Sequence, residues 1–239
     1  MKKSILLILT LMVLTIAHAQ NFNPDVYDTS NGKLSISFIG HGTLMFQFNG
    51  KTIHVDPWGK LADYGVLPKA DLILITHAHG DHLDTAAIRK ISKEGTVLIA
   101  NAETVEKINQ GIVMKNGESL KKLGLIIEAV PAYNNTPGKE KFHPKGTGNG
   151  YVIHFGNKKV YVAGDTEDIP EMAILKGIDI AFLPVNQPYT MLPEQLAHAV
   201  QLLKPAIVYP YHYGETDMTK VQELLKPFTN TKLIIKAMK

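Results

Sequence analysis

Leu72-Ile73-Leu74-Ile75-Thr76-His77-Ala78-His79-Gly80-Asp81-His82 is the stretch on which the fold reading turns. Residues 72–76 are an almost continuous apolar run, which suits a strand buried on both faces. The six that follow hold three histidines and an aspartate. His77 and His79, two apart in an extended turn, project imidazoles to one side and can grip one ion. Asp81 and His82 carry the turn into the next helix and can reach a second ion beside the first. Imidazole with carboxylate suits zinc and also accepts iron, manganese or nickel. A solvated polar loop gives no reason for such a cluster at the end of a buried strand.

Outward from this stretch, short apolar or alternating runs are separated by turn residues. Residues 34–39, 44–48 and 52–55 read as strands, the last two joined by Asn49-Gly50, a strong hairpin signal. Residues 84–92 and 102–109 read as helices around a strand at 96–100. A strand at 123–130 leads into a long polar loop, 131–149. Strands at 151–155 and 160–163 pair around Gly156-Asn157. Next come a helix near 170–175, a strand at 178–183, a helix at 193–203, a strand at 206–209, a helix at 218–225 and a last strand at 233–235. Hairpins mixed with strand–helix units imply an α/β fold: two packed sheets with helices outside, an αβ/βα sandwich. A loop as long as 131–149 inside a compact domain points to function.

The chain has 239 residues, 45% hydrophobic and 20% charged, an ordinary globular composition. Residues 1–19 read as a signal peptide. Lys2 and Lys3 precede an apolar stretch, 5–17, and the small-x-small site Ala17-His18-Ala19, so the mature domain spans 20–239. The apolar stretch is short for a bilayer span, which argues against a retained membrane anchor. The expected location is periplasmic or secreted. There is no cysteine, so disulfides, thiolate ligands and acylation at a cleavage-site cysteine are all excluded. Of the formal charge of +3, two units belong to Lys2 and Lys3, and Arg89 is the only arginine. Nucleic acid is therefore not an expected partner.

The pattern His-x-His-x-Asp-His resembles the signature of the metallo-β-lactamase fold superfamily. Gly40-His41-Gly42, Val55-Asp56-Pro57, Gly164-Asp165-Thr166 and Pro210-Tyr211-His212-Tyr213 agree with it in order and spacing. The likeness is greatest to the branch holding the ascorbate-phosphate lactonase-like and N-acyl-phosphatidylethanolamine phospholipase D-like hydrolases. It implies a four-layer αβ/βα sandwich of the metallo-β-lactamase type, with two divalent ions, zinc foremost. His77 and His79 would bind the first ion and Asp81 and His82 the second. Asp165 would bridge the two, and His212 would complete the second site. Asp81, Asp165 and His212 would act in catalysis.

The same resemblance implies a further histidine soon after the strand at 123–130. Here that position reads Pro131-Ala132-Tyr133-Asn134. His143 in the long loop, the amide oxygen of Asn134, or neither would take the place. His41 is a candidate for supporting the site or contacting substrate. Asp56 is one for orienting a ligating imidazole. Tyr133, Asn134 and Lys145 are candidates for contacting substrate. His54, His154 and His198 read as packing residues. The function expected is exported, metal-dependent hydrolysis of an ester, lactone or phosphodiester in a small molecule. β-Lactam cleavage is not expected, because the likeness to true β-lactamases stops at the first motif. No Gly-x-Ser-x-Gly elbow is present for a serine hydrolase. The alternatives are a non-catalytic metal- or ligand-binding protein on the same fold, or a di-iron redox enzyme.

Overall fold

The computed structural model describes residues 22–238; the signal-peptide reading of residues 1–19 lies outside the described residues. The first sheet holds, in spatial order, β1 (Asp25–Thr29), β2 (Gly32–Gly40), β3 (Thr43–Phe48), β4 (Lys51–Val55), β5 (Leu72–Leu74), β6 (Val97–Ala100) and β7 (Ile112–Val113). β1 to β4 are antiparallel, and β4 to β7 run parallel to one another. Helices α1 (Thr85–Ile91) and α2 (Ala102–Ile108) make the crossovers.

The second sheet repeats the plan. β8 (Ser119–Lys122), β9 (Leu125–Ala132), β10 (Gly148–Phe155) and β11 (Lys158–Val162) are antiparallel. β12 (Ile180–Pro184), β13 (Ile207–Tyr211) and β14 (Lys232–Leu233) then add in parallel, with α3 (Pro193–Leu203) and α4 (Met218–Leu225) between them. The chain is thus a four-layer αβ/βα sandwich, as the residues implied.

The run at 72–76 shows why these sequences make these layers. Leu72 and Leu74 point between the sheets into a core with Phe46, Phe155 and Phe182. Ile73 and Ile75 point outward and pack under Ala87, Ile88 and Ile91 of α1. All four are fully buried, and each contributes about 1.5–3 kcal/mol of apolar burial. Aromatic pairs join the sheets: Phe46 to Phe155 at 5.5 Å and Phe38 to Tyr209 at 4.9 Å between ring centres. Asn49 (φ 49°) and Gly50 (φ 71°) form the expected turn, with Phe48 opposite Lys51; positive φ at both central residues is what such a two-residue turn requires.

Several boundaries differ from expectation. The strand expected at 123–130 is a hairpin plus a longer strand. Leu123 (φ 54°) and Gly124 (φ 82°) turn the chain between β8 and β9. β9 then runs on to Ala132, and the long loop contracts to 133–147. The helix expected near 170–175 is a single 3₁₀ stretch, Pro170–Ile174, too short to bury a stripe. β1, β7 and β8 were not evident in the sequence. They are edge or near-edge strands of few buried residues, so they lack the apolar alternation that marks a strand.

Candidate metal centre

Most of the site residues leave the fold at one edge, where parallel strands end; His41 comes from the β2–β3 turn and His143 from the loop between β9 and β10. The ends of parallel strands are where open α/β sheets present their ligand-binding groups. β4 ends at Asp56, β5 delivers the turn from His77 to His82, β11 delivers Asp165, and β13 ends at His212. Backbone bonds from His82 N and Leu83 N to His79 O, at 3.0 and 2.8 Å, wind the turn tightly. Asp84 then caps α1 by accepting from Ala86 N and Ala87 N.

Three overlapping groups result: His77, His79 and His143; His77, His82 and Asp165; and His41, Asp81, His82 and His212. Within each group one ligand atom per residue lies within 4.8 Å of the others. Asp165 spans them. Its Oδ2 is 3.2 Å from His143 Nε2, 3.4 Å from His212 Nε2 and 3.9 Å from His77 Nε2, and its Oδ1 is 3.5 Å from His82 Nε2. Asp81 Oδ2 faces His41 Nε2 at 3.1 Å and His212 Nε2 at 3.6 Å.

His77, His82, His143, Asp165 and His212 are buried, His79 is exposed and Asp81 half-buried, and the charges of the set act strongly on one another. Burial, with help from His82, holds the His77 imidazole well below its ordinary pKa, so it stays neutral. Burial and the nearby His143 also depress His79. Burial works against ionising Asp165, but His212 and His82 outweigh it and keep the carboxyl well below the usual range. Asp81 is likewise held low, as His212 and His41 override its burial.

The donor set fits a divalent cation. His82 Nε2, His143 Nε2, His212 Nε2 and Asp165 Oδ1 are buried without hydrogen-bond partners, and the three imidazoles all face the Asp165 carboxylate. A buried polar atom left unpaired costs about 1–3 kcal/mol, a cost that coordination removes. Nitrogen and carboxylate oxygen are the donors such ions take.

Asp56 supports this set from beneath. It is fully buried and accepts from Thr76 N (2.8 Å), Thr76 Oγ1 (2.7 Å) and His82 Nδ1 (2.8 Å). That bond leaves His82 Nε2 as the atom aimed at the cluster. Gly42 completes the seat, because a Cβ there would lie 2.7 Å from His82 Cε1. His41, at φ 49°, lies 3.7 Å from the His212 ring, tilted 38° to it, and packs beside Trp58.

Of the candidates for the missing position, His143 comes back to the cluster, and only 6% of it is exposed. Asn134 does not: its amide donates to Tyr189 O (2.7 Å) and Lys139 O (3.3 Å) and lines neither cleft. Tyr133 and Lys145 are also turned away from the clefts. The Tyr133 hydroxyl bonds Glu171 (2.9 Å), and Lys145 bonds both Glu171 (2.9 Å) and that hydroxyl (3.2 Å). His198 is not a packing residue but a half-exposed partner of Asp168 at 2.6 Å. His54 is buried, bonds Pro68 O, and is pushed down to about 4 by burial. His154 pairs with Glu128.

Two clefts open on the cluster, of about 240 and 340 Å³, and share His79, Phe142, His143 and Asp165 as a common wall. Sequence reasoning missed Phe142, Asn186 and Tyr189, which line them. Only the proximity of Phe142 to His143 hinted at any of these.

Two such sheets, with a His/Asp centre where their parallel strands end, define a metal centre of the metallo-β-lactamase type. Comparison with known proteins agrees. The model of the β-lactamase superfamily domain matches residues 35–212. A UPF0173 metal-dependent hydrolase from Thermus thermophilus is 33% identical over 76% of this chain and 84% of its own length. A crystal structure of a Parabacteroides distasonis protein described as a metal-dependent hydrolase is 49% identical. It superposes with a TM-score of 0.90 over 92% of this chain and 100% of that one. Igni18, a metallo hydrolase from Ignicoccus hospitalis, is 29% identical with a TM-score of 0.72, over 85% of this chain and 94% of its own. The chain belongs to the β-lactamase superfamily and is a metal-dependent hydrolase of the metallo-β-lactamase fold.

Proposed function

We propose that the chain hydrolyses an ester, lactone or phosphodiester bond in a small molecule, using two divalent ions, zinc foremost. His77, His79 and His143 would hold one ion, and Asp81, His82 and His212 the other. Asp165 stands between the two groups of imidazoles. The observation that carries this reading is the position of Asp165, 3.2–3.9 Å from imidazoles of both groups.

Divalent ions in such a donor set supply Lewis acidity and ionise water near neutral pH. Asp165 and Asp81, both held ionised, orient the attacking water and accept hydrogen bonds from it. His41 Nε2, now 3.1 Å from Asp81, can donate to charge developing on the substrate. Phe142 and Tyr189, edge to face at 5.2 Å, bound the larger cleft and limit water around the reacting bond. The approach of His143 to Asp165, at 3.2 Å, supports catalysis over a non-catalytic binding role.

Metal analysis should find about two ions per chain. His79→Ala and Asp165→Ala should lose turnover of a generic phosphodiester and of a lactone. Full turnover by a metal-stripped preparation would refute the proposal. Export after cleavage before Gln20 belongs to the same reading, and the mass of the protein recovered outside the cytoplasm tests it.

A further inference from the structure

His143 stands in the loop 133–147, away from both flanking strands. A ligand in such a segment is expected to be poorly held, because ordering each residue of free chain costs about 1–2 kcal/mol. Yet His143 is buried and aimed at Asp165. Something other than a strand must fix it.

The bonds of the loop converge on one buried acid. Glu167, two residues beyond Asp165, is wholly enclosed. Its Oε2 accepts from Asn135 N (2.8 Å) and Thr136 N (2.7 Å), and Lys139 Nζ stands 3.9 Å from its Oε1. Its own N–H bonds Tyr133 O at 3.0 Å. The start of the loop is therefore tied to the turn that carries Asp165. Asn134 relays that tie. Its backbone N–H donates to His143 O (2.9 Å), and its side-chain amide donates to Tyr189 O (2.7 Å). His143 Nδ1 donates to the same Tyr189 carbonyl at 3.1 Å. That bond selects the tautomer whose Nε2 lone pair faces Asp165.

We propose that Glu167, acting through Asn134, is a positioning residue for His143, and that one buried knot sets the distance between His143 and Asp165. The inference rests on the reading of His143 as a ligand. Without the Glu167 carboxylate two backbone N–H groups lose their acceptor, and the loop is released at the point where Asn134 grips His143. Glutamine at 167 keeps a carbonyl oxygen able to accept from both N–H groups, so it should restore the tie.

The test is Zn²⁺ titration of the full chain after metal exchange, in competition with a chromophoric chelator. Glu167→Ala should weaken one of the two ions about tenfold or more, within the range for a residue that orients a ligating histidine, and leave the other unchanged. Glu167→Gln should stay within about threefold of the parent. In a His143→Ala background, Glu167→Ala should add no further weakening, because the two act as a unit. Wild-type affinities in Glu167→Ala, or an equal loss in both backgrounds, would overturn the inference. If His143→Ala alone leaves both affinities unchanged, the ligand reading itself falls. Should Glu167→Ala fail to fold, Asn134→Ala, which cuts the side-chain ties to Tyr189 O and Lys139 O but keeps the backbone bond to His143, is judged by the same criteria.

Discussion

Asp56→Asn tests whether a buried carboxylate sets the tautomer of His82. Asp56 Oδ1 accepts from Thr76 N, a fixed donor, so the amide oxygen of asparagine must stay on that side. The amide nitrogen is then forced toward Thr76 Oγ1 and His82 Nδ1, where Oδ2 now accepts at 2.7 and 2.8 Å. The threonine hydroxyl can rotate and become the acceptor. The imidazole can accept only by moving its proton to Nε2, the atom that faces Asp165 and Asp81 at 3.5 and 3.8 Å. A hydrogen bond to a charged group is worth about 1.5–3 kcal/mol, so affinity for the ion beside His82 should fall roughly ten- to hundredfold. Lost stability of the same size should lower the melting temperature of the metal-free protein by roughly 3–12 °C. Chelator competition with Zn²⁺ reads the first quantity and a thermal scan of metal-free protein the second. Two ions bound at wild-type affinity by Asp56→Asn would refute the reasoning, whatever the thermal result.

Gly42→Ala drives a methyl group into the His82 ring, 2.7 Å from its Cε1; it should cost about 1–3 kcal/mol and weaken binding of the same ion, as chelator competition would show. Asp71 accepts from Thr52 N at 2.9 Å and faces Lys93 at 3.0 Å. Burial raises its pKa, but the Thr52 bond and Lys93 outweigh this and leave it below the ordinary 3.8. A carboxylate with a depressed pKa stabilises the fold above the unfolded value and loses that contribution as pH falls through the folded one. Asp71→Asn should therefore cost about 1 kcal/mol at pH 7, and the gap should close on acidification from about pH 4; urea unfolding at several pH values checks it, and a constant gap would refute it. Tyr133→Phe should leave turnover unchanged and lower stability by about 0.5–1.5 kcal/mol, because the hydroxyl serves Glu171 and Lys145; a tenfold loss of turnover would put it in the substrate path.

Most of the centre was legible because its residues end strands. A buried run such as 72–76 fixes where the chain emerges, so His77 to His82, Asp56, Asp165 and His212 all fall at strand ends on one edge, and the family resemblance supplies the roles of Asp165 and His212. His143 could not. A residue held by a loop is placed by bonds to distant backbone, here Tyr189 O and the peptide of Asn134, and no local pattern announces such bonds. Glu167 was missed for the same reason: a buried acid reads as a surface residue until its two backbone donors are visible. The β8–β9 turn was misread because Leu123, an apolar residue, occupies a left-handed position that usually calls for glycine or asparagine.

The two sheets share one strand plan, and none of the three ligand groups lies within a single half of the chain. His77 and His79 need His143, His77 and His82 need Asp165, and His41, Asp81 and His82 need His212. The centre is therefore a keystone shared by two arches. A nascent chain with only its first half made carries the most conspicuous histidines but lacks the second half's share of every group, so the full ligand set exists only once the sandwich closes.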